Sequence, residues 1–117
     1  MRSDDPESLL PLPPATFHVL VALADADRHG YAIMREVADR TGGRTKLNPG
    51  TLYTTIQRLL DRGLIVELRE RGDPAEDDER RRYYRLTPAG RRVASAEAER
   101  LWRLVTVARA HRLLSRA

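Results

Sequence analysis

Residues 91–117 contain neither proline nor glycine. Ala94, Ala98, Leu101, Leu104, Val105 and Ala108 recur there at helical spacing, with Trp102 at the edge of the stripe. Thr87 followed by Pro88 marks the start, because threonine caps a helix and proline suits its first position. One uninterrupted helix is therefore expected over 88–114. A chain of 117 residues has a marginal core, burying only about two thirds of its unfolded surface. A long helix that cannot cover its own apolar face then calls for a second copy. The expectation is a homodimer through Ala98, Leu101, Trp102, Leu104, Val105 and Ala108, helped by the first helix of the chain.

The upstream part divides at its prolines and glycines. Acidic residues followed by Pro11, Pro13 and Pro14 predict a mobile tail over 1–13, a folded domain over 14–87 and the terminal helix over 88–117. A first helix is expected over 14–24 with Phe17, Leu20, Val21 and Ala24 inward, then a polar break over 25–30. A second follows over 31–40 with Ile33, Met34 and Val37 inward, stopped at Thr41-Gly42-Gly43. Tyr31, at its start, is expected to pack between helices, the alternative being contact with a phosphate. Asn48 and Pro49 open a third helix that Gly63 ends, with Leu52, Ile56, Leu59 and Leu60 on one face. Residues 64–71 and 80–86 read as two strands joined by GDPAEDDE, a loop with five acids. Three helices, a hairpin and a terminal helix, in that order, make a winged helix-turn-helix: mainly α with a two-stranded β-wing and a long C-terminal dimerisation helix. Its third helix is the DNA-recognition element.

The outward face of that third helix suits DNA. It carries Gly50, Thr51, Thr54, Gln57 and Arg58, with Tyr53 on the flank, where a merely soluble helix more often shows Glu and Lys. Free N–H groups at Asn48–Thr51 can anchor a phosphate, and Gly50 permits close backbone approach. Thr51 and Thr54 suit phosphate or a thymine methyl, Gln57 adenine and Arg58 guanine. Lys46, just before the helix, is placed for phosphate. On the second strand Arg80 and Arg82 share a face by alternation and are expected on the DNA backbone, unless the neighbouring acids pair with them.

Four motifs now stand in order: His29-Gly30-Tyr31, Gly50-Thr51-Leu52-Tyr53, Arg58-Leu59 with Gly63-Leu64-Ile65, and Arg82-Tyr83-Tyr84-Arg85-Leu86-Thr87-Pro88-Ala89-Gly90. Together they resemble the PadR family of bacterial transcriptional regulators, and the single terminal helix resembles its small subfamily. The resemblance implies a cytoplasmic homodimer on a palindromic operator in double-stranded DNA, usually a repressor. It also implies a response to small aromatic effectors such as phenolic acids or planar drugs, for which Trp102 is the candidate pocket residue. Two departures stand out. Thr54 occupies a position where many members have proline, and the acidic wing tip is longer than in the family pattern.

Other chemistries lack their residues. There is no cysteine, so disulfides and thiolate sites are excluded. His18, His29 and His111 are dispersed with no triad or ligand arrangement, so neither catalysis, nor a metal, nor a cofactor is expected. The acidic loop lacks the spacing and the turn glycine of a calcium loop. The longest apolar run, Val19 to Ala24, is far too short for a membrane span, and the acidic N-terminus is no signal peptide, so a cytoplasmic setting is expected. The formal net charge of +4 rests on 20 arginines and one lysine, a bias a GC-rich genome explains. The competing function is a winged-helix protein-interaction module without DNA binding. The acidic wing tip favours it, and the basic recognition region speaks against it.

Overall fold

The computed structural model describes residues 5–69 and 82–115. A 3-10 helix, Pro6–Leu9, leads into α1 (Pro14–Ala22), β1 (Arg28–His29), α2 (Gly30–Arg40), α3 (Pro49–Asp61), β2 (Ile65–Arg69), β3 (Arg82–Leu86) and α4 (Pro88–Ala110). This is the expected winged helix, with α2 and α3 as the helix-turn-helix pair and β2–β3 as the wing. The acidic loop, Arg80 and Arg81 lie outside the described residues.

Local capping explains the helix starts. Asn48 Oδ1 accepts the Thr51 N–H at 2.7 Å, and Thr87 Oγ1 accepts the Gly90 N–H at 3.0 Å. His29 does the same for α2, its Nδ1 accepting the Ala32 N–H at 3.1 Å. Each satisfies one of the donors that a helix start leaves open. Thr87 also ties α4 to the end of α3: its hydroxyl donates to Gly63 O at 2.8 Å and its N–H to Leu64 O at 3.1 Å.

The core joins Val19, Leu20, Ile33, Val37, Leu52, Ile56, Leu59, Leu64, Ile65, Tyr84 and Val93. In α1 and just beyond it the buried residues are Val19, Leu20, Ala22 and Leu23, whereas Phe17 and Val21 are half-buried. The expected stripe is thus rotated. Residues 19–24 are all apolar, so periodicity could not select a face, and contacts with α2, α3 and α4 enclose the helix from several sides.

Three further features differ from the sequence expectation. The polar break holds β1, which pairs antiparallel with β3 (Arg28 with Tyr84, His29 with Tyr83), so the sheet has three strands in the order β1-β3-β2. A two-residue strand is too short to show alternation. The segment ahead of Pro14 packs on the domain: Leu9 and Leu10 lie against the core and Leu12 is buried in it. The Leu12 N–H bonds the Glu97 carboxylate, which Arg100 grips with two bonds of 2.8 Å. Finally, α4 ends at Ala110, and Arg112 follows with a φ of 62°.

Candidate nucleic-acid interface

Helix α3 turns Leu52, Thr55, Ile56 and Leu59 inward, which leaves Gly50, Thr51, Thr54, Gln57 and Arg58 as one exposed stripe. Lys46 is exposed just before the helix, beside the capping Asn48. The missing side chain of Gly50 is not required by the protein's own packing. Among the described residues outside its own helix backbone, a Cβ there would meet only Asn48 Oδ1 within 4 Å, at 3.4 Å, which is ordinary contact. Gln57 Nε2 donates to Asp61 Oδ1 at 3.0 Å, so the amide is oriented along the helix and gives up that bond if it turns to a base. Tyr53 is half-buried and leans toward α2.

The wing meets α3 along a cleft of about 130 Å³ that brings Arg82 and Glu67 together with Tyr53 and Gln57. Arg82 shares the Tyr84 face of β3, as alternation predicts, and its Nε sits 3.8 Å from Glu67 Oε2. That is a long, partly exposed pair that constrains the guanidinium weakly. Arg85 is different. It bonds the Asp27 carboxylate through Nε and Nη2, the shortest at 2.8 Å, and this hydrogen bond together with the charge of Asp27 raises its pKa above the ordinary arginine value. The pair ties the wing to the turn after α1. Nothing local in the sequence pairs residues 27 and 85; only the β1–β3 register brings them together.

Tyr31 does not join the core. The residue is 58% exposed, with the Arg35 guanidinium over its ring, 5.9 Å from the centroid. The core position beside it belongs to Gly30, and one step along a helix turns the next side chain outward. His29 packs edge-on to Tyr83 at 5.3 Å, so in His29-Gly30-Tyr31 the first residue caps, the second is buried and the third faces out.

Beyond Glu97, no residue of α4 is buried. Trp102, Leu104, Val105 and Val107 are exposed, Leu101 and Ala108 half-buried, and Ala98 exposed. The Arg109 guanidinium lies 5.8 Å from the Trp102 ring centroid, over one face of the indole. Among the described residues no helix is long and apolar enough to cross a membrane, and no group of three or more His, Asp or Glu is placed to hold a metal ion.

Several known proteins are similar to this chain in sequence or fold. Residues 19–96 match the family described as Transcriptional regulator PadR-like family. The chain is 38% identical over 104 residues to an uncharacterized 37.1 kDa protein of a Streptomyces fradiae transposon, a match that covers 89% of this chain but 25% of that protein. It is 38% identical over 84 residues to a transcriptional regulator of Mycobacterium tuberculosis, covering 72% of each. Among solved structures, a transcriptional regulator from Clostridium thermocellum superposes with a TM-score of 0.69 at 25% identity, over 87% of this chain and 90% of that one. Bacillus subtilis PadR in complex with operator DNA superposes with a TM-score of 0.64 at 19% identity, over 74% of this chain and 47% of that one, a likeness of fold.

Proposed function

Since the chain belongs to the PadR-like family of transcriptional regulators, which are DNA-binding proteins and not enzymes, we propose that it is a repressor acting as a homodimer on a palindromic operator in double-stranded DNA. It releases that operator when a small aromatic effector binds. The observation that carries the DNA reading is the α3 stripe, uncharged and short-chained at its capped N-terminus and flanked by Lys46 and Arg58. Gly50 adds to it, since its bare backbone serves no packing need and suits close approach to a phosphate.

In this reading Asn48, Gly50 and Lys46 position the helix on the backbone. Thr51, Thr54, Gln57 and Arg58 face the bases, and Tyr53 braces the helix from its flank. Arg82, and Arg80 ahead of it, follow the adjoining backbone. Two copies joined along α4 through Ala98, Leu101, Trp102, Leu104, Val105 and Ala108 would set the two recognition helices about 34 Å apart, one turn of DNA. Two-fold symmetry in the protein is what makes a palindrome the matching site. The exposed indole of Trp102 supports a planar aromatic effector, because it offers a flat stacking surface beside that interface. The setting is the cytoplasm, where the operator is.

Titration of fluorescent duplexes tests the reading. The protein should bind random-sequence DNA with affinity that falls steeply between two salt concentrations, and bind a fragment from upstream of its own gene more tightly. No binding to either duplex at low salt would turn the assignment toward a protein-interaction module.

A further inference from the structure

A groove of about 390 Å³ runs between the first turn of α1 and the edge of α3. Its walls carry Ala15 and Thr16 on one side and Thr51, Thr54, Thr55 and Arg58 on the other. No acidic side chain lines it among the described residues.

Three independent features make it a site for an acceptor-only ligand. First, α1 is nine residues long and has no side-chain cap. Pro13 and Pro14 contribute no N–H, so the open donors of its first turn are the Ala15 and Thr16 amides, beyond which the Phe17 N–H bonds Pro13 O at 3.1 Å. Second, Thr55 lines the groove while only 8% exposed, and its hydroxyl makes no hydrogen bond among the described residues. A buried hydroxyl without a partner is costly, and helical threonines usually bond a carbonyl one turn back, as Thr106 does to Trp102 O at 2.9 Å. Third, the one charged wall residue is Arg58, which forms no ion pair among the described residues. Amides and a guanidinium only donate, and hydroxyls can donate, so the complementary group is a phosphate.

We propose that this groove is a backbone clamp: it takes one phosphodiester of the DNA duplex, held by the Ala15 and Thr16 amides and the Thr16 and Thr55 hydroxyls, with Arg58 supplying the opposite charge. The inference rests on the DNA-binding reading above and deepens it. Thr51 and Thr54 line the groove and also stand in the exposed stripe of α3, so DNA lying on that stripe passes over the groove mouth. A free phosphate shares the chemistry, but that continuity assigns the duplex backbone as its source.

Thr16→Glu and Thr55→Val test it in the intact chain. Glutamate at the third position of an uncapped helix favours the helix through its dipole, so Thr16→Glu should keep or raise the Tm while placing a carboxylate where the phosphate sits. Random-duplex affinity should fall about tenfold, and the log–log salt slope should lose roughly 0.9 per protomer, the signature of one lost phosphate contact. Thr55→Val keeps the side-chain shape and removes the unpartnered hydroxyl; it should keep or raise the Tm and weaken binding in the same direction by less. Wild type that binds DNA steeply with salt while both variants keep its affinity and slope would overturn the clamp and leave the DNA reading standing. Wild type that binds no duplex at low salt would overturn both. Saturation of the Ala15 and Thr16 amide resonances by inorganic phosphate, with unchanged DNA slopes in the variants, marks a free-anion site and overturns the backbone assignment.

Discussion

The Tyr53 ring lies directly against Gly30: a Cβ on residue 30 would overlap the phenol hydroxyl and come within 2.9 Å of Cζ and 3.1 Å of Cε1. The first residue of α2 therefore fixes where a side chain on the flank of the recognition helix can stand. Two of the four sequence motifs, His29-Gly30-Tyr31 and Gly50-Thr51-Leu52-Tyr53, are two sides of this one contact.

Gly30→Ala should destabilise the protein by about 1–3 kcal/mol, the usual cost of overpacking. The obstacle is a side chain, so Tyr53→Leu should remove much of the cost, and the double variant should lose less stability than the sum of the single changes. Gly90→Ala should be worse than Gly30→Ala, because the added Cβ would collide with the Leu64 carbonyl, which is backbone and cannot swing aside. Urea unfolding of the four variants checks the order. Equal costs for Gly30→Ala and Gly90→Ala would contradict it.

A second expectation concerns acid. Its hydrogen bonds to Arg100, first, and to the Leu12 N–H hold the buried Glu97 carboxylate below the ordinary glutamate range, against burial, which raises it. A depressed pKa means that the folded state releases its proton more readily than the unfolded one. The resulting stability is present above the unfolded pKa and disappears as pH falls through the folded value. Glu97→Gln should cost about 1–3 kcal/mol at neutral pH by the loss of charge-assisted bonds, and the gap to wild type should close in acid. A gap that stays constant with pH would mean the carboxylate charge contributes nothing.

On DNA, Arg58→Ala and Lys46→Ala should behave differently. In the proposed docking Arg58 meets both the bases and the phosphate in the groove it lines, so its loss should weaken operator binding by about 1–3 kcal/mol and weaken random-sequence binding less. Lys46 is exposed beside the cap of α3 and should contribute alike to both duplexes, with the salt slope reduced by about one contact. Unchanged binding in both variants would place some other surface on the DNA.

For assembly, Leu101→Asp combined with Val105→Asp should give a monomer at micromolar concentration in sedimentation, since each change sets a charge in the proposed apolar seam. The distal half of α4 buries no residue in its own chain. The Tm of the resulting monomer should therefore report the lost dimer and not a damaged core. A wild-type monomer under the same conditions would refute the dimer.

The effector expectation turns on Arg109. Its guanidinium already stacks on the Trp102 indole, so an aromatic ligand competes with it for that face or takes the other. Titration with planar cations or phenolic acids should quench the fluorescence of this single tryptophan and lower operator affinity over the same concentrations. Arg109→Ala should strengthen the quenching by freeing the face. A Trp102→Ala protein that still releases its operator fully would leave the indole a packing role only.

How much of this was legible beforehand follows from the range over which each force acts. Asn48-Pro49 and Thr87-Pro88 placed the starts of α3 and α4, and the apolar period of α3 chose its inward face. Capping and amphipathicity involve residues within one or two helical turns, so the order of those residues is enough to state them. The exposed stripe of Gly50, Thr51, Thr54, Gln57 and Arg58 was legible for the same reason. The buried face of α1 was not, because the unbroken apolar run 19–24 has no preferred face until its neighbours arrive. Nor was the two-residue strand β1, which exists only because β3 runs beside it. The Arg85–Asp27 tie, the packing of Leu12 under α4, the outward turn of Tyr31 and the groove that unites Thr16 with Thr55 join residues far apart in the chain or set by such neighbours. Their energies come from contacts that exist only once distant segments share a core, and linear order carries no term for them.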